Sequence, residues 1–225
     1  MMRDQDTAGL PPGLAPPPEV GRVYLSFDDG PDARWTPRIL DLLAQANVPA
    51  TFFVVGRRAL EQPALVRRIA AHGYALGNHT WSHRHPWTMR ASSAREEVRA
   101  GAAAIADLIG RAPQFFRPPH GRLRRCMLEE AERGGQALML WDLSAVDWGP
   151  LGVARAIARR LAATQAGDIV LMHDGGQGIN RPRELIEALP GFLAGLRRRG
   201  LVPSLFAAPR LMGDPGSRAR DVEES

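Results

Sequence analysis

The sequence predicts an α/β fold of parallel strands joined by helices. Seven short β-type segments alternate with helical patterns between about residues 22 and 209, as in right-handed βαβ units. Polar residues follow most of these segments, at the strand ends where parallel folds place their sites. Two architectures fit: a barrel of seven or eight strands, or an open sheet with helices on both faces. The chain has no glycine-rich phosphate loop, which favours the barrel.

Each predicted element has its own local pattern. The β-type segments are, in chain order, 23–27, 50–55, 74–79, 114–116, 137–143, 168–173 and 201–206. Apolar residues recur at helical spacing over 35–46 and 98–109. Ser93 and Glu96 predict a capping box that opens the second of these helices. Pro190 predicts a break between two short helices within 183–198.

The composition excludes several classes of protein. Of the 225 residues, 44% are apolar and 24% charged, which is typical of a globular chain with a core. No stretch approaches the roughly 20 apolar residues that span a bilayer, so we expect no membrane span. The basic residues are all arginine and scattered, so we expect no nucleic-acid partner. The single cysteine, Cys126, excludes a disulfide framework.

The two ends of the chain are expected to lie outside the domain. Residues 1–20 are predicted to be a disordered proline-rich segment and residues 211–225 a flexible tail, which leaves residues 21–210 as the domain. The first residues contain an early arginine and no apolar run, unlike a secretory signal peptide. We therefore expect a cytoplasmic protein, with export through an upstream signal as the alternative.

A candidate metal site is formed by residues that follow two of the strands. His79 and His83 have a spacing that lets two imidazoles face one cation from a helix turn or a tight loop. Two histidines and one carboxylate suit zinc or another divalent ion. Asp29 is the candidate carboxylate, and Asp28 would be the base beside it, because neighbouring residues of a strand point to opposite faces. His173, on another strand, could face the site as an acid.

Several polar residues at the strand ends have both a functional and a simpler structural interpretation. Asp28 and Asp29 could form a polar turn after the first strand. Arg117 either pairs with a site carboxylate or lies on the surface. Asp147 and Trp148 are either an orienting carboxylate and a sugar-stacking ring, or a capping aspartate and a buried tryptophan.

Five segments in this order resemble the polysaccharide deacetylase family, which shares the NodB homology domain and is carbohydrate esterase family 4. They are SFDDGP (26–31), HTWSH (79–83), RPPHG (117–121), DLSAVDW (142–148) and LMH (171–173). The resemblance covers about residues 21–206 and implies a single-domain, distorted (β/α)7–8 barrel. It implies a hydrolase that removes N-acetyl groups from amino sugars of an oligosaccharide, polysaccharide or glycoconjugate, releasing acetate and a free amine.

The resemblance also implies which residues carry the chemistry. Asp28 would be the catalytic base and His173 the general acid. Asp29, His79 and His83 would bind one divalent ion, Zn²⁺ before Co²⁺ or Mn²⁺.

Five further residues would support them. Arg117 would tether Asp28, and Asp147 would tune His173. The backbone N–H of His120 would stabilise the oxyanion, Leu171 would line the acetyl pocket, and Trp148 would form part of its wall.

The chain departs from the family pattern at two positions. His120 stands where the family usually has tyrosine, which predicts altered sugar contacts, and Ser144 stands where an aspartate is common. Two other functions are alternatives: an amidase or deacylase of the same fold that acts on a small amide, cyclic imide or biosynthetic intermediate, and a binding module that has lost its chemistry.

Overall fold

The computed structural model describes residues 21–206. The predicted segments 1–20 and 211–225, and the last four residues of the predicted domain, lie outside this range. Within it, strands and helices alternate along the chain in this order: β1 (Arg22–Asp28), α1 (Thr36–Ala46), β2 (Thr51–Val54), α2 (Gly56–Glu61), α3 (Pro63–Ala71), β3 (Ala75–Asn78), α4 (Ala91–Ile109), β4 (Phe115–Phe116), α5 (Arg125–Arg133), β5 (Ala137–Leu138), β6 (Leu143–Ser144), α6 (Ala154–Leu161), β7 (Ile169–His173), α7 (Pro182–Arg198) and β8 (Val202–Pro203).

The strands form one parallel sheet in the order β5-β4-β3-β2-β1-β7-β6, and β8 pairs with the start of β1. The two strands at the ends of this order, β5 and β6, are joined by residues 139–142 alone. Five peptide steps reach at most about 18 Å, whereas the edges of a flat seven-stranded sheet would lie roughly 29 Å apart. The sheet must therefore curl until its edges approach. The single-domain distorted barrel is confirmed, and the open sheet is excluded.

The predicted strand over 137–143 is in fact two strands, β5 and β6. The buried guanidinium of Arg117 explains the interruption. Its Nε donates to the carbonyl of Met139 at 2.9 Å, and its Nη2 donates to the carbonyl of Leu140 at 2.9 Å. These carbonyls bind a side chain inside the barrel, so they are not available to a strand ladder.

Two predictions about helix ends were wrong. α7 runs unbroken from Pro182 to Arg198 with Pro190 inside it. Pro190 lies on the exposed face, where water can satisfy the carbonyl that loses its partner, while the opposite face is buried. α4 begins at Ala91, before Ser93, and Glu96 accepts from Arg99 instead of closing a capping box. None of the helices within residues 21–206 is long and apolar enough to cross a bilayer.

β1 lies at the centre of the sheet and is buried on both faces. Val23, Leu25 and Phe27 belong to the main hydrophobic core. Ser26 and Asp28 alternate with them and therefore point to the other face, where both are almost fully buried. The core thus fixes the strand that carries polar groups into the barrel.

Gly101 lets α4 approach the backbone that follows β3. A Cβ at this position would lie 2.6 Å from the carbonyl carbon of Thr80. Gly101→Ala should therefore lower the free energy of unfolding by about 1–3 kcal/mol, although alanine is the better helix former. Urea unfolding measures the change.

Gly191 in α7 is the matched control, because nothing lies within 4 Å of a Cβ placed there. Gly191→Ala should raise the free energy of unfolding by about 0.5–1 kcal/mol. Equal and positive changes in the two variants would contradict the close approach at Gly101.

Candidate active site

A cavity of about 410 Å³ opens at the carboxyl ends of the strands. Among the predicted site residues, the acids and histidines that line it are Asp28, Asp29, His79, His83, His120 and His173. Leu171 and Trp148 form part of its wall. Arg117 and Asp147 lie behind it, bonded to lining residues. The structure therefore brings all of the predicted site residues to one place.

The sheet register places these side chains. Asp28 is the last residue of β1, and it lies directly opposite His173 at the end of β7. His79 follows β3, and Arg117 follows β4. These neighbouring parallel strands end at the same edge.

Asp29 does not point away from Asp28 as alternation along a strand would require. It lies just beyond β1 with φ of +73°, a left-handed conformation that turns its side chain into the cavity. Asn180 Nδ2 donates to its Oδ2 at 2.7 Å. Arg58 Nη1 donates to its backbone carbonyl. These contacts hold both adjacent carboxylates at one cavity.

Asp29, His79 and His83 form a group that fits one metal ion. A ligand atom from each lies within 4.8 Å of the others. Asp29 Oδ1 is 2.9 Å from His83 Nε2 and 3.4 Å from His79 Nε2. Among the described residues, no donor is aligned to hydrogen-bond with this buried oxygen, so a shared cation would satisfy it. The two histidines lie in a tight loop, not in a helix turn.

The protonation of these ligands also suits a cation. The backbone carbonyl of Arg117 lies 2.8 Å from His79 Nδ1. This nitrogen therefore donates, and Nε2 keeps its lone pair for a metal. Burial raises the pKa of Asp29, but the imidazoles of His79, His83 and His173 outweigh it and hold the pKa well below its usual value. Asp29 is therefore a carboxylate at neutral pH.

Arg117 is fully buried and binds Asp28, which excludes a surface arginine. Its Nη1 lies 2.7 Å from Asp28 Oδ1 and 2.9 Å from Ser26 Oγ. The second oxygen of Asp28 lies 3.7 Å from His79 Nε2 and so faces the metal ligands. One oxygen of Asp28 is thus held by the arginine, while the other is directed into the site.

Asp147 fixes His173 through both carboxylate oxygens. His173 Nδ1 lies 2.8 Å from Asp147 Oδ1, and the backbone N–H of His173 donates to Oδ2 at 2.7 Å. Burial lowers the pKa of His173, but the charge and hydrogen bond of Asp147 outweigh it and raise the pKa to about 9. Trp148 contacts the same imidazole edge-on, with ring centroids 5.2 Å apart.

His120 lies in a 3₁₀ turn (Pro119–Gly121) with φ of +58°. The following glycine packs against Trp141, since a Cβ at Gly121 would lie 2.7 Å from the indole. This close packing fixes the turn, and with it the backbone of His120, at the cavity.

Sequence reasoning missed four residues around the cavity. Arg58 lies in α2 and Asn180 in the loop between β7 and α7, so neither is among the polar residues that directly follow a strand. Trp141 lies between β5 and β6, where one continuous strand was predicted. Asp174 is almost fully buried behind the site and accepts from Thr36 Oγ1 at 2.6 Å. Burial raises its pKa to about 7.

Comparisons with known proteins agree with this geometry. A family model described as polysaccharide deacetylase matches residues 15–138. The chain is 37% identical to a chitooligosaccharide deacetylase of Bradyrhizobium sp. (strain ANU 289), with 79% of this chain and 85% of the relative covered. It is 33% identical to a peptidoglycan-N-acetylglucosamine deacetylase of Bacillus cereus, with 84% and 70% covered.

A solved structure has the same fold. The structure of a family 4 carbohydrate esterase from Streptomyces lividans, in complex with acetate, superposes with a TM-score of 0.76 at 29% identity. The match covers 84% of this chain and 94% of the esterase.

Proposed function

Because the chain belongs to the polysaccharide deacetylase family, we propose that it removes N-acetyl groups from N-acetylglucosamine units of an oligosaccharide, polysaccharide or glycoconjugate. The products are acetate and a free amine. The observation that carries this proposal is one cavity in which Asp28 and His173 accompany the group of Asp29, His79 and His83. An amide needs both an activated water and a protonated leaving group, and this set can supply both.

Asp29, His79 and His83 would hold one divalent cation, and we propose Zn²⁺. One carboxylate and two imidazoles are a common zinc set that leaves a position open for water or substrate. When bound, the cation supplies Lewis-acid chemistry that polarises the acetyl carbonyl and lowers the pKa of water toward ~7. Re-supply of the metal-stripped protein with Zn²⁺, Co²⁺ or Mn²⁺ tests the choice of ion by the activity recovered.

Asp28 would take the proton of the attacking water. Arg117 occupies its Oδ1, so Oδ2 is the oxygen that accepts the proton. The negative charge that develops on the former carbonyl oxygen would be stabilised by the N–H of His120. A donor of this kind contributes about 3–4 kcal/mol.

His173 would protonate the leaving nitrogen. Its Nδ1 is bonded to Asp147, so Nε2 is the nitrogen that can give a proton to the departing amine. The proton taken by Asp28 and the proton given by His173 balance the hydrolysis. Leu171 would contact the acetyl methyl group, and Trp148 would form the wall beside it.

The direct test is incubation with a tetramer of N-acetylglucosamine, followed by mass spectrometry and an assay for free amine. We expect successive loss of acetyl groups that requires the metal. An intact tetramer together with hydrolysis of a small amide or cyclic imide would instead indicate a small-molecule deacylase. Metal binding without any amine release would indicate a binding module.

The pH dependence of kcat should report the protonation of His173. Its raised pKa favours the protonated form, so activity that needs the imidazolium falls as pH rises through the pKa. The pKa of His173 is about 9, and a cation held by Asp29, His79 and His83 would repel the imidazolium and move this limb lower. Asp147→Asn removes the charge that raises the pKa. It should therefore shift the basic limb of the kcat profile further toward acid and lower kcat about 10- to 100-fold.

Asp142→Asn is the control, because Asp142 is exposed and accepts from the backbone N–H of Ile169, outside the cavity. Its profile should match that of the unmodified enzyme. If the basic limb were unmoved in Asp147→Asn as well, His173 would not be the acid.

A further inference from the structure

We propose that Trp87 forms a second sugar-binding subsite, which holds a pyranose ring of the same glycan chain beside the N-acetylated sugar in the cavity. This inference rests on the proposed function and narrows its substrate to oligosaccharides or polysaccharides. It concerns a surface that the catalytic mechanism above does not use.

A row of rings connects Trp87 to the metal ligands. His83 contacts His120 at a centroid distance of 4.8 Å. His120 stacks on His85 at 5.2 Å with an interplanar angle of 26°. His85 meets Trp87 edge-on at 5.7 Å. The row runs from the proposed acetyl-binding cavity to the protein surface.

Trp87 has no evident role in the core. Its side chain is 63% exposed, and it is the aromatic member of the exposed large hydrophobic residues within 21–206. An exposed indole is typical of a ligand-binding surface, and only the ring of His85 separates this one from His120, which lines the cavity.

The backbone around Trp87 is nevertheless held in place. It lies in a 3₁₀ turn, Pro86–Thr88, between the buried side chains of Pro86 and Met89. Arg124 Nη1 donates to the carbonyls of Pro86 at 3.0 Å and Met89 at 2.6 Å. Thr88 Oγ1 donates to the carbonyl of His85 at 2.8 Å. An indole on such an ordered turn loses less freedom on binding a ligand than one on a mobile loop.

The chemistry of this surface suits a neutral sugar. The face of the indole carries partial negative charge and attracts the weakly positive C–H hydrogens of a pyranose ring. Two groups beside the indole could donate to sugar hydroxyls. The guanidinium carbon of Arg122 lies over one face of the indole, 5.3 Å from its centroid, so the sugar would stack on the other face. His85 Nδ1 accepts from the N–H of Trp87, so its ring proton is on Nε2.

The size of the cavity also indicates that a longer glycan must extend beyond it. A volume of about 410 Å³ is near the lower end for small-molecule sites, and it suits one N-acetylated sugar. The neighbouring units of a longer glycan must therefore lie on the surface, and the row of rings provides one path.

The test compares kcat/KM for a dimer and a tetramer of N-acetylglucosamine. We expect the unmodified enzyme to prefer the tetramer. Trp87→Ala should lower the tetramer-to-dimer ratio about 3- to 10-fold, mainly through a higher KM for the tetramer. Trp87→Phe should keep most of the preference, because it retains an aromatic face.

Val202→Ala is the control, since Val202 is 57% exposed and lies in β8, which pairs with the start of β1 at the opposite end of the barrel. Its ratio should equal that of the unmodified enzyme. Equal rates on dimer and tetramer, or an unchanged ratio in Trp87→Ala, would overturn the subsite. Failure of the unmodified, metal-loaded enzyme on both substrates would instead refute the proposed function.

Discussion

Asp29→Ala is expected to abolish metal binding and deacetylation together. The substitution removes the one carboxylate of the predicted ligand group and leaves two imidazoles, which hold a divalent ion far more weakly. After dialysis, elemental analysis should find much less than one equivalent of metal. Because the Lewis acid is then missing, kcat/KM should fall at least about 10³-fold.

Further variants test whether the loss of metal is specific to this ligand group. His79→Ala and His83→Ala should give the same joint loss, because each removes another member of the same group. Asp41→Ala and His72→Ala are matched controls: Asp41 is exposed and pairs with Arg68, and His72 is exposed and stacks on Tyr74 away from the cavity. A full equivalent of metal in Asp29→Ala would show that the cation lies elsewhere.

Asp28→Asn should instead keep the bound metal but lower kcat. Asparagine has nearly the same shape, and its carbonyl oxygen can still accept from Arg117, but the amide cannot take a proton from water. Loss of a general base costs about 10²- to 10⁴-fold in kcat. Elemental analysis and steady-state kinetics on the tetramer measure the two properties in one preparation.

Asp41→Asn controls for the amide substitution itself. Full turnover by purified Asp28→Asn would mean that another group is the base. The comparison with Asp29→Ala is informative because the two residues are neighbours in the chain. One substitution is expected to change metal content, while the other is expected to change only the chemical step.

Much of the fold follows from local patterns in the sequence. The alternation of strands and helices predicted the parallel sheet, and polar residues at the strand ends predicted which edge carries the site. The split between β5 and β6 could not be predicted, because the carbonyls of Met139 and Leu140 accept from the guanidinium of Arg117, which follows β4. The unbroken α7 likewise depends on packing: its buried face holds the helix together despite Pro190.

The site was harder to predict where it depends on backbone conformation. A purely alternating strand would separate Asp28 from Asp29, and only the positive φ of Asp29 returns both side chains to one cavity. Asn180 lies 151 positions from the carboxylate it binds, and no local pattern connects the two. The family resemblance supplied the roles of the matching residues, but it gave no signal for Trp87, which lies outside the matching segments.

The guanidinium of Arg117 contributes both to the closure of the barrel and to the proposed chemistry. It donates to the carbonyls of Met139 and Leu140, in the segment that joins the two sheet edges, and to one oxygen of Asp28, the proposed base. A substitution at position 117 is therefore expected to lower thermal stability and turnover together. Directed evolution for higher thermal stability would have to retain Arg117 and select substitutions elsewhere, for example on the exposed face of α7.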